Sequence, residues 1–171
     1  MEHIRDSFVT EKGLLNFAAR HEDNSFLHSR KEKDRPLAHI FHRADMSYFL
    51  KLDENDRIVA AAAIRYYESL ADYKQPVLWL SQISVRPECR NKKLGTSLLQ
   101  RIFEHAERGK FALRMTPFET DGEKYLAPII PRLHRDFPTV KILYESHDTP
   151  IDGTRTYEII NESGVSRLEF K

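Results

Sequence analysis

The chain has 171 residues, 40% of them hydrophobic and 31% charged, a composition typical of one soluble globular domain spanning residues 1–171. It has no apolar run near the roughly 18–20 residues that a membrane span requires. Its first residues, MEHIRDSF, lack the apolar segment of a signal peptide, so we expect a cytoplasmic protein without a membrane partner. Cys89 is the only cysteine, which excludes an internal disulfide.

Basic residues concentrate in one region, although the formal net charge is only +1. Residues 86–114 contain eight lysines and arginines against three acidic residues. A local basic region in a nearly neutral protein favours a compact polyanion, such as a phosphorylated cofactor, over nucleic acid, which is bound through a broader basic face. A solvent-exposed basic helix would give the same pattern.

The first elements are predicted to be helical. Residues 10–21 have Thr10 as an N-cap candidate and an apolar face that includes Leu14 and Ala18. A second helix is predicted from Pro36 to His42, because proline is favoured at the first helical position.

The period then changes to that of strands. Ser47–Leu52 and Ile58–Tyr67 flank a turn-forming cluster, Asp53–Asp56, and are predicted to form an antiparallel hairpin. Val77–Val85 is predicted to be the next strand, which ends before Pro87.

A helical period returns at Thr96–Arg108, where Gly109 stands at the position expected for a C′ glycine. The remaining predicted elements are strands at Phe111–Met115, Val140–Glu145 and Thr156–Ile160, and a helical segment at 120–137 interrupted by Pro128 and Pro131. Together with the preceding elements, they predict a mixed α/β layered fold.

One segment, LSQISVRPECRNKKLGTSLLQRIFEHA, combines a strand, a basic loop and a helix start. The first N–H groups of a helix have no intrahelical partner and, with the helix dipole, form an anion site. Gly95 allows a phosphate to approach the backbone closely. The Walker pattern GxxxxGK[ST] and the dinucleotide pattern GxGxxG are both absent. An ordinary basic strand–loop–helix connection explains these residues equally well.

The same segment resembles motif A of the GNAT superfamily of N-acetyltransferases, in which a strand leads through a loop of the form Gln/Arg-x-x-Gly-x-Gly/Ala into a helix. Arg90 and Gly95 match the ends of that loop, and Val85-Arg86-Pro87 matches the Val-x-Pro that commonly precedes it. Lys93 stands where the first glycine is usual. The resemblance extends to the order of elements along nearly the whole chain. It implies an α/β fold with a mixed, mostly antiparallel central sheet and helices on both faces.

The resemblance also implies acetyl-CoA as co-substrate, no metal, and an amine of a small molecule or protein as acceptor. In this family the strand corresponding to Val77–Val85 splays from its neighbour and its backbone edge binds pantetheine, while the loop amides hold the pyrophosphate. The implied cofactor-binding residues are Ile83, Ser84, Val85, Arg90, Asn91, Lys92, Lys93, Leu94, Gly95, Thr96 and Ser97.

Lys93 is the departure from the family pattern that raises a structural question. If its position requires φ > 0, a lysine there costs on the order of 1 kcal/mol. Either the loop backbone differs from that of the family, or the lysine gains stability by pairing with a cofactor phosphate.

The general acid of the family is usually a tyrosine in the pattern Asn-x-x-Ala-x-x-Leu-Tyr. The best match, beginning at Ala127, places His134 at the tyrosine position and an alanine at the asparagine position. An earlier helix start, suggested by a capping box at Thr120-Asp-Gly-Glu123, would instead make Tyr125 the acid. Glu119 is a candidate for relaying a proton through water. The resemblance also leaves open a homodimer, and a degenerate member that binds CoA or a protein partner without turnover.

Overall fold

The computed structural model describes residues 3–21, 46–68, 75–115, 124–145, 155–161 and 164–170, and side chains as far as Leu143, except that of Ala127. None of the described helices is long and apolar enough to span a membrane. The strands are β1 (Arg5–Thr10), β2 (Met46–Leu52), β3 (Ile58–Tyr67), β4 (Val77–Val85), β5 (Ala112–Met115), β6 (Ile142–Glu145), β7 (Arg155–Asn161) and β8 (Gly164–Phe170). The helices are α1 (Glu11–Ala18), α2 (Leu94–Gly109) and α3 (Ile130–Asp136), with 3-10 turns at Pro87–Cys89 and Ala127–Ile129.

Contacts divide the chain into two compact units, and each unit is built from two separate stretches of sequence. The first comprises Met1–Arg65 and Gln82–Leu99, and the second comprises Tyr66–Ser81 and Gln100–Lys171. Strands β3 and β4 and helix α2 therefore each contribute residues to both units.

In the first unit the strand order is β1-β2-β3-β4. Strands β1 and β2 are antiparallel, as are β2 and β3, so the predicted hairpin is confirmed. The turn of that hairpin is closed by Asp53, whose Oδ1 accepts hydrogen bonds from the backbone amides of Asn55 and Arg57, both at 2.9 Å. A cluster of buried apolar residues lies among α1, β2 and β3, and includes Leu14, Tyr48 and Leu50.

The beginning of the chain differs from the sequence prediction. Helix α1 lies within the predicted range, and Thr10 precedes it in an extended conformation but makes no side-chain capping bond. Strand β1 was not predicted, because its sequence, RDSFVT, has no clear apolar alternation. In the structure four of its residues are exposed and two are half-buried. The helix predicted from Pro36 to His42 lies outside the described residues.

Asp56 is expected to stabilise the hairpin turn in a pH-dependent way. Its carboxylate accepts hydrogen bonds from Arg5 and Arg20, and the bond from Arg5 is the main cause that holds the pKa of Asp56 below its usual 3.8. Asp56→Asn removes the charge but keeps a side chain that tolerates the left-handed φ of 61°. Since the folded pKa is depressed, the stabilisation is present above pH 3.8 and is lost as the pH falls through the folded pKa. We therefore expect a lower Tm for the variant at pH 7 and equal Tm values in strong acid. A constant difference at every pH would contradict this.

In the second unit the strand order is β4-β5-β6-β7-β8. Strands β4, β5 and β6 are parallel neighbours, whereas β6, β7 and β8 are antiparallel neighbours. Among the described strand pairs antiparallel pairing is the more frequent, which confirms the predicted mixed, mostly antiparallel sheet. Strand β8 was not predicted.

The C-terminal end of α2 corrects one prediction. Gly109 is the last helical residue, and Lys110 adopts the left-handed conformation with φ 55° that was predicted for the glycine. The Phe111 amide donates to the Ala106 carbonyl at 2.9 Å, and the Lys110 amide donates to Glu107 at 3.1 Å, which is the Schellman pattern. A Cβ at position 109 would overlap the ring of Phe111, so a side chain there requires this ring to move.

The segment predicted as one interrupted helix at 120–137 has, within its described part, two helical residues at Lys124 and Tyr125, a turn at Leu126, a 3-10 turn and then α3. The two prolines explain the division, because Pro128 lies in the 3-10 turn and Pro131 lies in the first turn of α3, where no intrahelical N–H bond is lost. The capping box predicted at Thr120 lies outside the described residues.

Candidate cofactor site

The second half of β4 extends beyond its pairing with β5. Residues Val77–Leu80 pair with Ala112–Met115, and the strand continues for five residues to Val85. Over this length the strand changes from mainly buried to half-buried residues. Ile83, Ser84 and Val85, the residues expected to contact pantetheine, all lie in this extension.

The end of β4 is anchored by Arg86, whose side chain is only 1% exposed. Its backbone amide donates to the Val59 carbonyl at 2.9 Å, and its Nε donates to the Ile58 carbonyl at 3.1 Å. These two bonds fix the point at which the loop begins against the start of β3.

An exposed ion pair lies beside this anchor. Arg57 donates to Glu88 at 2.7 Å. The backbone amide of Glu88 and then Arg57 hold the pKa of the Glu88 carboxyl below its usual 4.5, so the group is ionised at neutral pH.

A 3-10 turn connects the strand to the loop. The Cys89 amide donates to the Arg86 carbonyl at 2.8 Å, and the Arg90 amide donates to Pro87 at 3.2 Å. Cys89 is buried in this turn and packs as a small apolar residue. Arg90 is exposed at the end of the turn, where the basic loop begins.

The loop contains two left-handed residues, Asn91 with φ 64° and Lys93 with φ 59°. Left-handed residues that alternate with other conformations turn successive N–H groups toward one concave surface, which is the geometry of an anion-binding nest. Asparagine tolerates this conformation, whereas lysine adopts it at a cost on the order of 1 kcal/mol. The loop therefore has at Lys93 a backbone conformation for which a glycine is suited.

Helix α2 begins directly after this loop. The Ser97 amide donates to the Lys93 carbonyl at 3.0 Å, the first bond of the helix ladder. The amides of Leu94, Gly95 and Thr96 precede that bond and point toward the helix N-terminus. Gly95 is buried, while Thr96 and Ser97 are half-buried. The structure thus places the predicted loop residues from Arg90 to Ser97 in one connected turn that ends at the helix dipole.

A residue that the sequence did not indicate lies beside this turn. Lys51 on β2 is 6% exposed, and its Nζ donates to Ser97 Oγ at 2.7 Å. It also forms an ion pair with Asp6 Oδ1 at 2.5 Å. A lysine in a strand is usually solvent-exposed, so its type alone predicts no contact here. The alternation of buried Leu50 and Leu52 around it would place Lys51 on the opposite face of the strand, so the sequence holds no signal for its burial.

The three candidates for proton transfer differ in what the structure describes. His134 lies on α3, and its Nε2 is buried without a hydrogen-bond partner in the part of the chain that the structure describes. Tyr125 is 57% exposed, with the Lys124 ammonium 5.0 Å from its ring centroid. Glu119 lies outside the described residues. His134 and Tyr125 both belong to the second unit.

For the described ranges, no group of three or more histidine, cysteine, aspartate or glutamate residues has an arrangement that could hold a metal ion.

Replacing Lys93 with glycine is expected to raise stability. Glycine adopts positive φ without steric penalty, so the variant gains up to about 1 kcal/mol, reduced by the greater backbone entropy of its unfolded chain. The expected rise in Tm is at most roughly 2–4 °C for a chain of this size. The matched control is Lys92→Gly, which removes the same charge where φ is not positive and should lower Tm. Equal changes in the two variants would mean that the left-handed conformation is not strained.

Comparison with known proteins assigns the family. The sequence profile of the acetyltransferase (GNAT) family matches residues 14–121, more than half of the chain. The comparison with curated protein sequences finds no match. Among solved structures, a ribosomal-protein-alanine N-acetyltransferase from Brucella melitensis biovar Abortus 2308 is similar at 15% identity and a TM-score of 0.54, over 74% of this chain and 90% of that one.

An aminoglycoside acetyltransferase from an uncultured soil metagenomic sample is similar at 15% identity and a TM-score of 0.51, over 76% of this chain and 86% of that one. At these identities the structural likeness shows the fold alone, and the profile match shows the family. The loop described above lies within the matched residues. The chain therefore belongs to the GNAT family of acetyltransferases.

Proposed function

We propose that the protein is an acyl-CoA-dependent N-acyltransferase, a single-domain cytoplasmic enzyme that transfers an acetyl group from acetyl-CoA to an amine of a small molecule or protein. The observation that carries the proposal is the backbone of the loop. Left-handed residues at Asn91 and Lys93 lead directly into a helix whose first three amides precede its hydrogen-bond ladder. Membership of the GNAT family supports the same reading.

The described residues fit CoA in three respects. The backbone of Ile83–Val85 extends beyond the β5 pairing and would bind pantetheine. The amides from Asn91 to Thr96 would bind the pyrophosphate, and the exposed side chains of Arg90, Lys92 and Lys93 would add positive charge. Acetyl-CoA supplies the acetyl group as an activated thioester. The chain itself must orient that thioester and supply a proton for the departing thiolate.

We propose His134 as the source of that proton, with Tyr125 as the alternative. A buried Nε2 that no described group engages supports the histidine, because such a nitrogen is available to a substrate or a water. The high exposure of Tyr125 gives less support to the tyrosine as the proton donor. Glu119 remains a proposal for relaying the proton that the amine loses.

Replacing His134 with glutamine tests this assignment. Glutamine keeps polarity and approximate length but cannot act as an acid, so kcat should fall by about 10²–10⁴-fold while the KM for acetyl-CoA stays the same. Tyr125→Phe is the matched control and should leave both quantities unchanged. The reverse result, a loss of kcat only in the tyrosine variant, would assign the acid to Tyr125.

A thermal-shift titration with CoA and acetyl-CoA tests the proposed function. A ligand at about 100 times its Kd adds roughly 2.7 kcal/mol of apparent stability, which is readily measured. No shift at millimolar acetyl-CoA would contradict both catalysis and CoA binding.

Turnover is then measured by mass spectrometry of acceptors that represent three amine classes: an aminoglycoside, a peptide with N-terminal alanine, and a lysine-containing peptide. An acetylated product with any of them supports the enzyme. A clear thermal shift with no product from any acceptor would favour the degenerate member, for which the lysine at position 93 and the alanine at position 127 are the sequence arguments.

A further inference from the structure

Lys51 is a buried cation in contact with the first turn of α2. Only 6% of the surface of this residue is exposed to solvent. An ammonium group at such a position is stable only if it is paired and hydrogen-bonded. Both conditions are met, by Asp6 Oδ1 at 2.5 Å and by Ser97 Oγ at 2.7 Å. Asp6 lies directly opposite Lys51 in the β1–β2 register, so the pair is fixed by the sheet itself.

The contact determines what the Ser97 hydroxyl can do. A hydroxyl has one proton and two acceptor lone pairs, and the lysine ammonium can only donate. The lysine therefore occupies a lone pair of Ser97 Oγ, and the serine proton remains available to donate in another direction. A hydroxyl that accepts from a cation is also a stronger donor, because hydrogen bonds in a chain polarise one another. The amide of the same serine makes the first helix bond, to the Lys93 carbonyl, so Ser97 directly follows the three residues whose N–H groups have no intrahelical partner.

The ammonium also adds charge at this end of the helix. A buried charge is screened less by solvent and salt than an exposed one. Asp6, whose side chain is 38% exposed, opposes it in part. The electrostatic potential at the loop therefore depends on both residues, and with opposite signs.

We propose that Lys51 is a positioning residue for the phosphates of acetyl-CoA, which fixes the Ser97 hydroxyl as a donor and strengthens the positive end of α2, with Asp6 as its counter-charge. The inference rests on the proposed function, because it assumes that CoA phosphates bind to this loop. It assigns a role to a residue of β2, which lies 39 positions before Arg90, where the loop begins.

The test is isothermal titration of CoA, and of pantetheine, which lacks the phosphates, into the full chain and three variants. Lys51→Met keeps the bulk of the side chain without its charge and should weaken CoA binding by about tenfold or more, the loss expected for one charge-assisted contact. Ser97→Ala should weaken it in the same direction. Asp6→Asn keeps a hydrogen-bond acceptor for the lysine but removes the opposing charge, so it should tighten CoA binding. Pantetheine affinity should be the same in all four proteins.

Opposite effects of Lys51→Met and Asp6→Asn are the decisive result. If the ion pair served only to stabilise the fold, breaking either half would weaken binding of both ligands in the same direction, which would overturn the proposal.

If Lys51→Met does not fold, the other two variants decide, and unchanged CoA affinity in Asp6→Asn and Ser97→Ala overturns the inference. Failure of the unmodified protein to bind CoA would contradict the proposed function itself. That result is distinct from one in which the unmodified protein binds CoA and the variants bind it equally well.

Discussion

Replacing Gly95 with leucine is expected to remove measurable CoA binding while the protein remains folded. Gly95 is buried in the first turn of α2, between two other residues whose amides precede the helix ladder. A leucine side chain at this point would occupy space through which a phosphate must approach those amides. Loss of two hydrogen bonds to a charged phosphate, each worth about 1.5–3 kcal/mol, corresponds to at least about a hundredfold in Kd.

The measurement is the Kd for CoA by titration calorimetry, with circular dichroism to show that the variant is folded. Gly95→Ala is the matched control, because it adds one methyl group and a better helix former, and it should weaken binding much less. A leucine variant that binds CoA as tightly as the unmodified protein would show that the phosphates do not approach this turn.

Replacing Arg86 with methionine is expected to destabilise the protein by about 3 kcal/mol. Methionine fills a similar volume but cannot donate a hydrogen bond. The buried Ile58 carbonyl therefore loses the hydrogen bond that Arg86 Nε donates to it at 3.1 Å. The backbone bond from residue 86 to Val59 is kept, which limits the effect to the side chain. Urea denaturation should show a lower midpoint with an unchanged m-value.

Arg57→Met is the comparison for this variant. Arg57 makes a side-chain ion pair with Glu88 at 2.7 Å, but its side chain is 35% exposed, so the loss of stability should be far smaller. Equal losses in the two variants would mean that burial of the Arg86 guanidinium contributes nothing specific to the anchor of the loop.

The strands that carry the site could be predicted from the sequence with the bounds that the structure shows. Ile58–Tyr67 and Val77–Val85 are long apolar runs, and each is bounded by a strong signal, a turn cluster before β3 and a proline after β4. The start of α2 was predicted within two residues from the helical period of its apolar residues. Strand β1 could not be found this way, because its partly exposed residues are held by pairing with β2 rather than by their own apolar pattern.

Two features, the burial of Lys51 and the conformation at the end of α2, depend on contacts that the local rules do not consider. Lys51 is buried because Asp6 and Ser97 are brought to it by the fold, and no local pattern contains that information. At the end of α2 the left-handed position falls on Lys110, and a Cβ on Gly109 would overlap the ring of Phe111. The loop residues from Arg90 to Ser97 are contiguous in sequence, so a sequence pattern can name them as one group, and their role as cofactor-binding residues stays a prediction.

The contact between Lys51 and Ser97 has a consequence for the order in which the nascent chain acquires its structure. Asp6 and Lys51 are translated first, and the β1–β2 pairing can bring them together early. The serine follows 46 positions later, which at about 5–20 residues per second corresponds to roughly 2–9 s of synthesis. During that interval the ammonium has its counter-charge but not its hydroxyl partner. The first unit is therefore completed only after translation has passed β4, and an amino-terminal fragment that ends before residue 82 contains the lysine without the loop on which it acts.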